Sequence, residues 1–182
     1  MANEVLKAIS DRRSIRQYKP EQISKEQLDT LLKAAVESPS ARNSQPWHFT
    51  VVQDQGVIKQ VNDAACAALA KGGGFYANVR DIFYAAPTVI FISANKDATP
   101  WATLDCGIAA QTIALAAHSI GLGTVLLGLP GAAWSDDQES NAKLNASLKF
   151  PEGYSFGLAV AVGFPAGTKE AHPVSENLID IV

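Results

Sequence analysis

Apolar residues recur at helical spacing in several segments, and each segment is bounded by a capping or breaking residue. Leu28, Leu31 and Ala35 mark one such stripe. Ser24 and Gln27 before it form a capping box, in which each side chain accepts the other residue's backbone N–H. The pattern predicts an amphipathic helix after Ser24. Further helices are predicted after an Asn3 cap, over 56–71 and 104–120, and from a second capping box at Ser135 and Gln138 through Leu148.

Short runs of β-branched and apolar residues predict strands over 49–52, 88–93, 124–127 and 156–162. Helices and strands are intermixed without strict alternation, which favours an α+β fold with a central sheet flanked by helices. The helix over 104–120 is so rich in alanine that both of its faces must be covered. It therefore belongs at the centre of the fold.

Composition fits a single globular domain over 1–182, because 47% of the residues are hydrophobic and 18% are charged. The net charge of -3 argues against binding to nucleic acid or an anionic membrane surface. The apolar stretch 107–129 is broken by polar residues and glycines, so we interpret it as a buried helix followed by a strand. Cys66 and Cys106 have no metal-like spacing, and no signal peptide is recognisable, so a cytoplasmic protein without a metal site is expected.

Basic side chains cluster near the N-terminus, at Arg12, Arg13 and Arg16 with Ser14 among them. Arg12 and Arg16 lie on one side of the chain whether the segment is extended or helical. Guanidinium groups bind phosphate and carboxylate bidentately, so one compact anionic ligand would explain the cluster. A solvated charged turn is the alternative that the residues alone leave open.

Glycine-rich motifs do not identify that ligand. The stretch GLGTVLLG, 121–128, has Leu126 in place of the third glycine of a dinucleotide fingerprint, and it follows a helix instead of opening one. The stretch KGGGF, 71–75, lacks the Gly-Lys-Ser/Thr ending of a P-loop. Rossmann and nucleoside-triphosphate sites are therefore unsupported.

Five stretches, in order, resemble the FMN-dependent nitroreductase family, and together they span nearly the whole chain. They are RRSIRQY (12–18), SPSARNSQPWHF (38–49), NVRDIFYAAPTVIF (78–91), DCGIAAQTIALAAHSIGLGT (105–124) and GFPAG (163–167). The resemblance implies a nitroreductase-like central mixed β-sheet flanked by helices in an intertwined homodimer. It also implies two FMN sites at the interface, each built from both subunits.

The resemblance assigns the N-terminal cluster to FMN. Arg12 corresponds to the family's phosphate-binding arginine, and Arg13 and Ser14 correspond to neighbours that contact the phosphate and ribityl chain. Arg16 corresponds to a basic residue beside the pyrimidine edge of the flavin. Asn78 corresponds to an asparagine that hydrogen-bonds the pyrimidine ring.

Two other stretches are also implied to contact FMN. Leu127 and Gly128 correspond to a turn whose main chain approaches flavin N5 and O4. Pro39, Ser40 and Asn43 correspond to positions that line the flavin held by the partner subunit.

The chain departs from the family pattern at two places. Asp81 stands where larger members carry a lysine, which would leave Arg16 as the single cation near that edge of the flavin. The C-terminal phosphate ligand is assigned to Lys169, with His172 as the weaker candidate. An aromatic lid is a further possibility, against core or loop-anchoring roles for the same residues, Phe75, Tyr76, Phe83 and Trp101.

The implied activity is a ping-pong oxidoreduction in which NADH or NADPH reduces the flavin at N5 and an electron-poor small molecule then reoxidises it. No catalytic side chain is required, because the cofactor carries the chemistry. Nitroaromatics and quinones are the implied acceptors. A non-catalytic FMN-binding dimer, acting as a flavin store or sensor, is the alternative, and a dimeric interaction protein with a vestigial pocket is a third hypothesis.

Overall fold

Five helices and four strands make up the described part of the chain, residues 3–134, 137–171, 173 and 176–182 of a computed structural model. The helices are α1 (Glu4–Asp11), α2 (Lys25–Val36), α3 (Gln55–Gly72), α4 (Ala102–Ser119) and α5 (Gln138–Ser147). The strands are β1 (Trp47–Val52), β2 (Thr88–Asn95), β3 (Gly123–Leu127) and β4 (Tyr154–Gly163). Short 3₁₀ turns lie at Ala41–Asn43, Leu129–Ala133 and Glu176–Leu178.

The strands form one sheet in the order β1-β2-β4-β3. Among the described residues, every pairing between these strands is antiparallel, and the parallel contribution is a single bridge between Ser14 and Thr124. β2 and β4 lie in the middle of the sheet, and β2 is buried along nearly its whole length. The predicted α+β class with a helix-flanked central sheet is confirmed.

Alternating side chains of β2 divide the core into two layers. Val89 and Phe91 pack with residues of α3 and α5 on one face of the sheet. Ile90 and Ile92 pack with α2 and α4 on the other face. The period of two along a strand thus places helices against both faces.

Helix α4 packs its alanines against the sheet, but the chain does not cover its other face. Leu104 is 61% exposed, and Trp101 at the start of the helix is also exposed. The prediction that both faces are covered therefore fails within one chain. Among the described residues, no helix combines the length and apolar content needed to cross a bilayer.

The sequence signals for helix starts are mostly correct. The Asn3 side chain accepts the N–H of Leu6 at 2.9 Å, and the capping box of Ser24 and Gln27 is present. The predicted cap at Ser135 is wrong, because α5 begins at Gln138 and is capped by the Asp137 carboxylate. Ser135 itself lies outside the described residues.

Candidate functional site

The segment 14–19 is extended and lies along the edge of the sheet. Ile15 donates its backbone N–H to the Thr124 carbonyl at 2.9 Å, and Lys19 donates to the Phe164 carbonyl at 2.9 Å. These bonds join the segment to β3 and to the chain that follows β4. The basic N-terminus is thereby attached to the C-terminal region.

Two side chains anchor this segment. Ile15 packs against Gly123 so closely that a Cβ at that glycine would lie 2.8 Å from Ile15 Cγ1. The Tyr18 hydroxyl donates to the Ile15 carbonyl at 2.8 Å and to the Ala161 carbonyl at 3.3 Å. Burial raises the pKa of Tyr18 above its usual range, so the phenol stays protonated and keeps this donor.

Three adjoining cavities share Lys169 and bring the predicted cations together. Arg12 and Arg13 line a cavity of about 440 Å³, and the same two arginines with Ser14 line one of about 330 Å³. Ser14 and Arg16 line the third cavity, of about 240 Å³. The structure therefore places Arg12, Arg13, Ser14, Arg16 and Lys169 around one region of the surface.

The cations of this cluster have no carboxylate partner. All four ion pairs among the described residues join a lysine to an acidic residue one helical turn away, and none includes an arginine. Within the same part of the chain, Arg12 and Lys169 form no side-chain hydrogen bond, whereas Arg13 donates to the carbonyls of Ser10 and Arg12 at 2.6 and 2.8 Å. Asp11 and Glu170 also line these cavities but, in the part of the chain that the structure describes, form no ion pair with the cations, so the three arginines and Lys169 leave a net positive charge. Like charges held together repel, so the cluster favours an anion.

The turn that follows Asp81 brings a tyrosine ring close to Arg16. The Arg16 Cζ lies 5.8 Å from the centroid of the Tyr84 ring. The Asp81 carboxylate accepts the N–H of Phe83 at 2.9 Å and of Ala85 at 2.7 Å, so it stabilises the turn that carries Tyr84. Asp81 is therefore a turn-forming residue at the position where the family lysine is missing.

Asn78 and Gly128 lie apart from the three cavities that share Lys169. Asn78 is exposed in the turn after α3, and Leu127 is buried at the end of β3. A Cβ built on Gly128 would meet no heavy atom within 4 Å, and its φ of -89 is one that any residue adopts. The absence of a side chain at Gly128 therefore leaves open space before the main chain, which fits the close approach of a ligand.

The loop carrying Pro39, Ser40 and Asn43 does not line these cavities either. Ser40 Oγ accepts the N–H of Gln45 at 3.0 Å, and the Gln45 side chain donates to Asn43. One chain thus keeps this loop away from the arginine cluster.

The same loop has a strained backbone and is hydrogen-bonded to a buried carboxylate. Arg42, Asn43 and Gln45 all have left-handed backbones, with φ of 56, 54 and 45. Asparagine adopts this region comparatively readily, whereas arginine and glutamine seldom do. Asp105 of α4, 2% exposed, accepts the Ala41 N–H at 3.0 Å. The loop is held in one conformation by the start of α4.

Sequence reasoning missed His118 and Thr124, which line the largest of the three cavities beside Arg12. His118 lies in the last turn of α4, and GLGT directly follows that turn, so the glycine motif was the available signal. Phe83 was considered for a lid, and this is wrong because it is 1% exposed and packs on Phe91 in the core.

A model of the "Nitroreductase family" matches residues 9–164. A protein of Archaeoglobus fulgidus, provisionally named NADH dehydrogenase/NAD(P)H nitroreductase, is 33% identical over 96% of this chain and 92% of its own length. The FMN reductase [NAD(P)H] of Bacillus subtilis is 30% identical over 94% of this chain and 70% of its own length. The crystal structure of a nitroreductase with bound FMN from Desulfitobacterium hafniense superposes with a TM-score of 0.92, at 34% identity and full coverage of both chains. The chain belongs to the nitroreductase family.

Gly123→Ala tests how the basic segment is attached. The added methyl group would collide with Ile15, so we expect a loss of roughly 1–3 kcal/mol in the free energy of unfolding, as for other overpacked sites. Denaturant titration measures it. Gly72→Ala is the matched control, because a Cβ there meets no heavy atom within 4 Å, and it should leave stability unchanged or slightly higher.

Shortening Ile15 to Ala in the Gly123→Ala chain should recover part of the lost stability, because two of the three colliding atoms, Cγ1 and Cγ2, are removed. If Gly123→Ala were as stable as Gly72→Ala, the close packing of Ile15 on β3 would be contradicted.

Proposed function

We propose that the chain forms one FMN-binding domain over residues 1–182 and acts as an FMN-dependent NAD(P)H oxidoreductase. Its membership of the nitroreductase family and the names of its relatives support this activity. We further propose that NADH or NADPH and the acceptor use the same site in turn, in a ping-pong reaction. The proposed acceptors are nitroaromatics, quinones and similar electron-poor small molecules.

The arginine cluster without carboxylate partners carries this proposal. Arg12, with Lys169 across the shared cavities, would hold the FMN phosphate. Ser14 would add a hydroxyl donor. Arg13 retains donors for the ligand after its two backbone bonds, because a guanidinium has five N–H groups. These groups fit a phosphate, which accepts several charge-assisted hydrogen bonds.

The flavin ring would lie beyond the phosphate site. Arg16 and Asn78 would contact its pyrimidine edge, and the main chain at Leu127 and Gly128 would approach N5 and O4. The open space at Gly128 supports that contact. When bound, FMN supplies the hydride-transfer chemistry between the nicotinamide and the acceptor.

The side chains of this chain would bind and orient FMN and tune it electrostatically. Arg16 would stabilise negative charge at the pyrimidine edge, because a guanidinium held in place costs no reorganisation when charge develops. That effect favours electron uptake and raises the reduction potential of the bound FMN.

A second copy of the chain would complete the site. The open face of α4 carries an apolar cavity lined by Leu104, Gly107 and Ile108, among others. Helix α1 buries none of its residues, and Ile179 near the C-terminus is exposed. Exposed apolar surface of this extent favours association. In the proposed homodimer, Pro39, Ser40 and Asn43 would contact the FMN of the partner subunit.

Flavin colour tests the activity. The purified protein, supplied with excess FMN and then desalted, should be yellow. Under anaerobic conditions NADH or NADPH should bleach it rapidly, and a quinone should restore the colour. A yellow protein that neither nucleotide bleaches would support the non-catalytic store or sensor instead. A colourless protein that FMN does not reconstitute would contradict both functions.

Arg16→Ala tests the tuning role. We expect FMN binding to weaken by about tenfold or more, as for the loss of a hydrogen bond to a charged group, and the potential of the bound FMN to fall. Fluorescence quenching and redox titration measure the two effects. Lys96→Ala is the control, because it also removes a positive charge. Lys96 follows the last residue of β2, whereas the first residue, Thr88, pairs with Val162 at the end of the sheet near the basic segment. An unchanged potential in flavin-loaded Arg16→Ala would remove the assignment.

A further inference from the structure

The turn that carries Tyr84 is strained and firmly held. Tyr84 and Ala85 have φ of 57 and 53. A bulky aromatic residue in this left-handed region is a true outlier, which persists only where surrounding contacts enforce it. The two hydrogen bonds from Phe83 and Ala85 to the Asp81 carboxylate supply that enforcement.

The same turn is joined to α3 by one side chain. Asn62 donates from Nδ2 to the Arg80 carbonyl at 2.9 Å, and its Oδ1 accepts the N–H of Ile82 at 3.0 Å. Ile82 is fully buried. The position of Tyr84 is therefore set by the core and by α3, and it does not depend on Arg16.

Arg16, in contrast, has few contacts of its own. Its side chain is exposed and has no acidic partner in the described part of the chain. The single hydrogen bond that it forms, to the Ser14 carbonyl, is 3.5 Å long. A long side chain with one weak bond samples many rotamers. The half-buried Tyr84 ring, 5.8 Å from Arg16 Cζ, is its main orienting contact.

Electrostatics place a third group beside this pair. Burial raises the pKa of Tyr18, and among the smaller effects the positive charge of Arg16 lowers this pKa and Tyr84 raises it. Arg16 and Tyr84 are therefore both within electrostatic range of Tyr18. Within the described residues, the Tyr84 hydroxyl has no hydrogen bond, so what Tyr84 offers Arg16 is the face of its ring.

We propose that Tyr84 is a positioning residue for Arg16, held by Asp81, and that its ring fixes the guanidinium at the pyrimidine edge of FMN. The inference rests on the proposed function. Position 81 has an aspartate where larger family members have a lysine, and this aspartate supports the orientation of Arg16. The Asp81 carboxylate stabilises the turn, the turn positions the Tyr84 ring, and the ring restrains the Arg16 guanidinium.

The experiment compares Tyr84→Leu, Tyr84→Phe and Arg16→Ala, each loaded with FMN. Tyr84→Leu removes the aromatic face, so FMN should bind roughly three- to tenfold more weakly, as expected for one cation–π contact. The potential of its bound FMN should shift in the same direction as in Arg16→Ala. Tyr84→Phe keeps the face and should match the wild type in both measurements. Tyr154→Leu, which removes a ring at the start of β4 that contacts His48 edge-to-face, should leave the potential unchanged.

The decisive variant combines Tyr84→Leu with Arg16→Ala. If the ring acts through the guanidinium, the double variant should have the same potential and FMN affinity as Arg16→Ala alone. Equal losses from Tyr84→Leu with and without Arg16 would overturn the inference, and so would a Tyr84→Phe variant that behaves like Tyr84→Leu. Asp81→Ala and Asp81→Asn both remove the negative charge, but Asn keeps an acceptor oxygen for the turn, so the potential of Asp81→Ala should lie below that of Asp81→Asn. Equal potentials in these two variants would exclude Asp81 from the arrangement.

Two comparisons distinguish a role for the Tyr84 ring from a folding defect and from a failure to bind FMN. Tyr84→Gly is the second ring-deleting variant, because glycine adopts the left-handed backbone without strain. Tyr84→Leu and Tyr84→Gly should shift the potential alike, and a shift in only one would contradict a role for the ring. If the wild type fails to bind FMN, the proposed function fails. If the wild type binds FMN and Arg16→Ala lowers its potential while both ring deletions do not, this inference alone fails.

Discussion

The attachment of segment 14–19 to the sheet edge determines the rest of the site. Backbone hydrogen bonds at Ile15 and Lys19 join the segment to Thr124 and Phe164, and the missing side chain at Gly123 lets Ile15 pack against β3. The Ile15 side chain packs on Gly123, and the Tyr18 hydroxyl bonds the Ala161 carbonyl. These contacts fix the segment in the place where Ser14 and Arg16 line a cavity with Lys169.

The residues proposed to contact FMN lie in two separate places within one chain. The arginine cluster lies at one sheet edge, whereas the strained loop with Pro39 and Asn43 is held elsewhere by Asp105. The open face of α4 lies next to that loop, since Asp105 is in the first turn of the helix. A second copy packed on this face would explain both the uncovered apolar surface and the rigid conformation of the loop.

Local signals in the sequence predicted most of the fold. The capping box at Ser24 and the apolar, β-branched run of β2 are local patterns, so the sequence predicts both elements. The arginine cluster was found for the same reason. Tyr84 was missed because its contact with Arg16 joins residues distant in the sequence. Asp81 was interpreted by its charge, but its function is to bond two backbone N–H groups, which depends on a turn conformation that sequence patterns do not reveal.

Arg12, which precedes the attached segment at the end of α1, is proposed to bind the phosphate of FMN, and riboflavin, which lacks that phosphate, tests this role most directly. Affinities of the protein for FMN and for riboflavin are measured in the wild type, in Arg12→Ala and in the Lys96→Ala control. The account predicts that the wild type and the control prefer FMN, and that Arg12→Ala loses about tenfold or more of this preference while its riboflavin affinity is unchanged. An undiminished preference for FMN in Arg12→Ala would contradict the account.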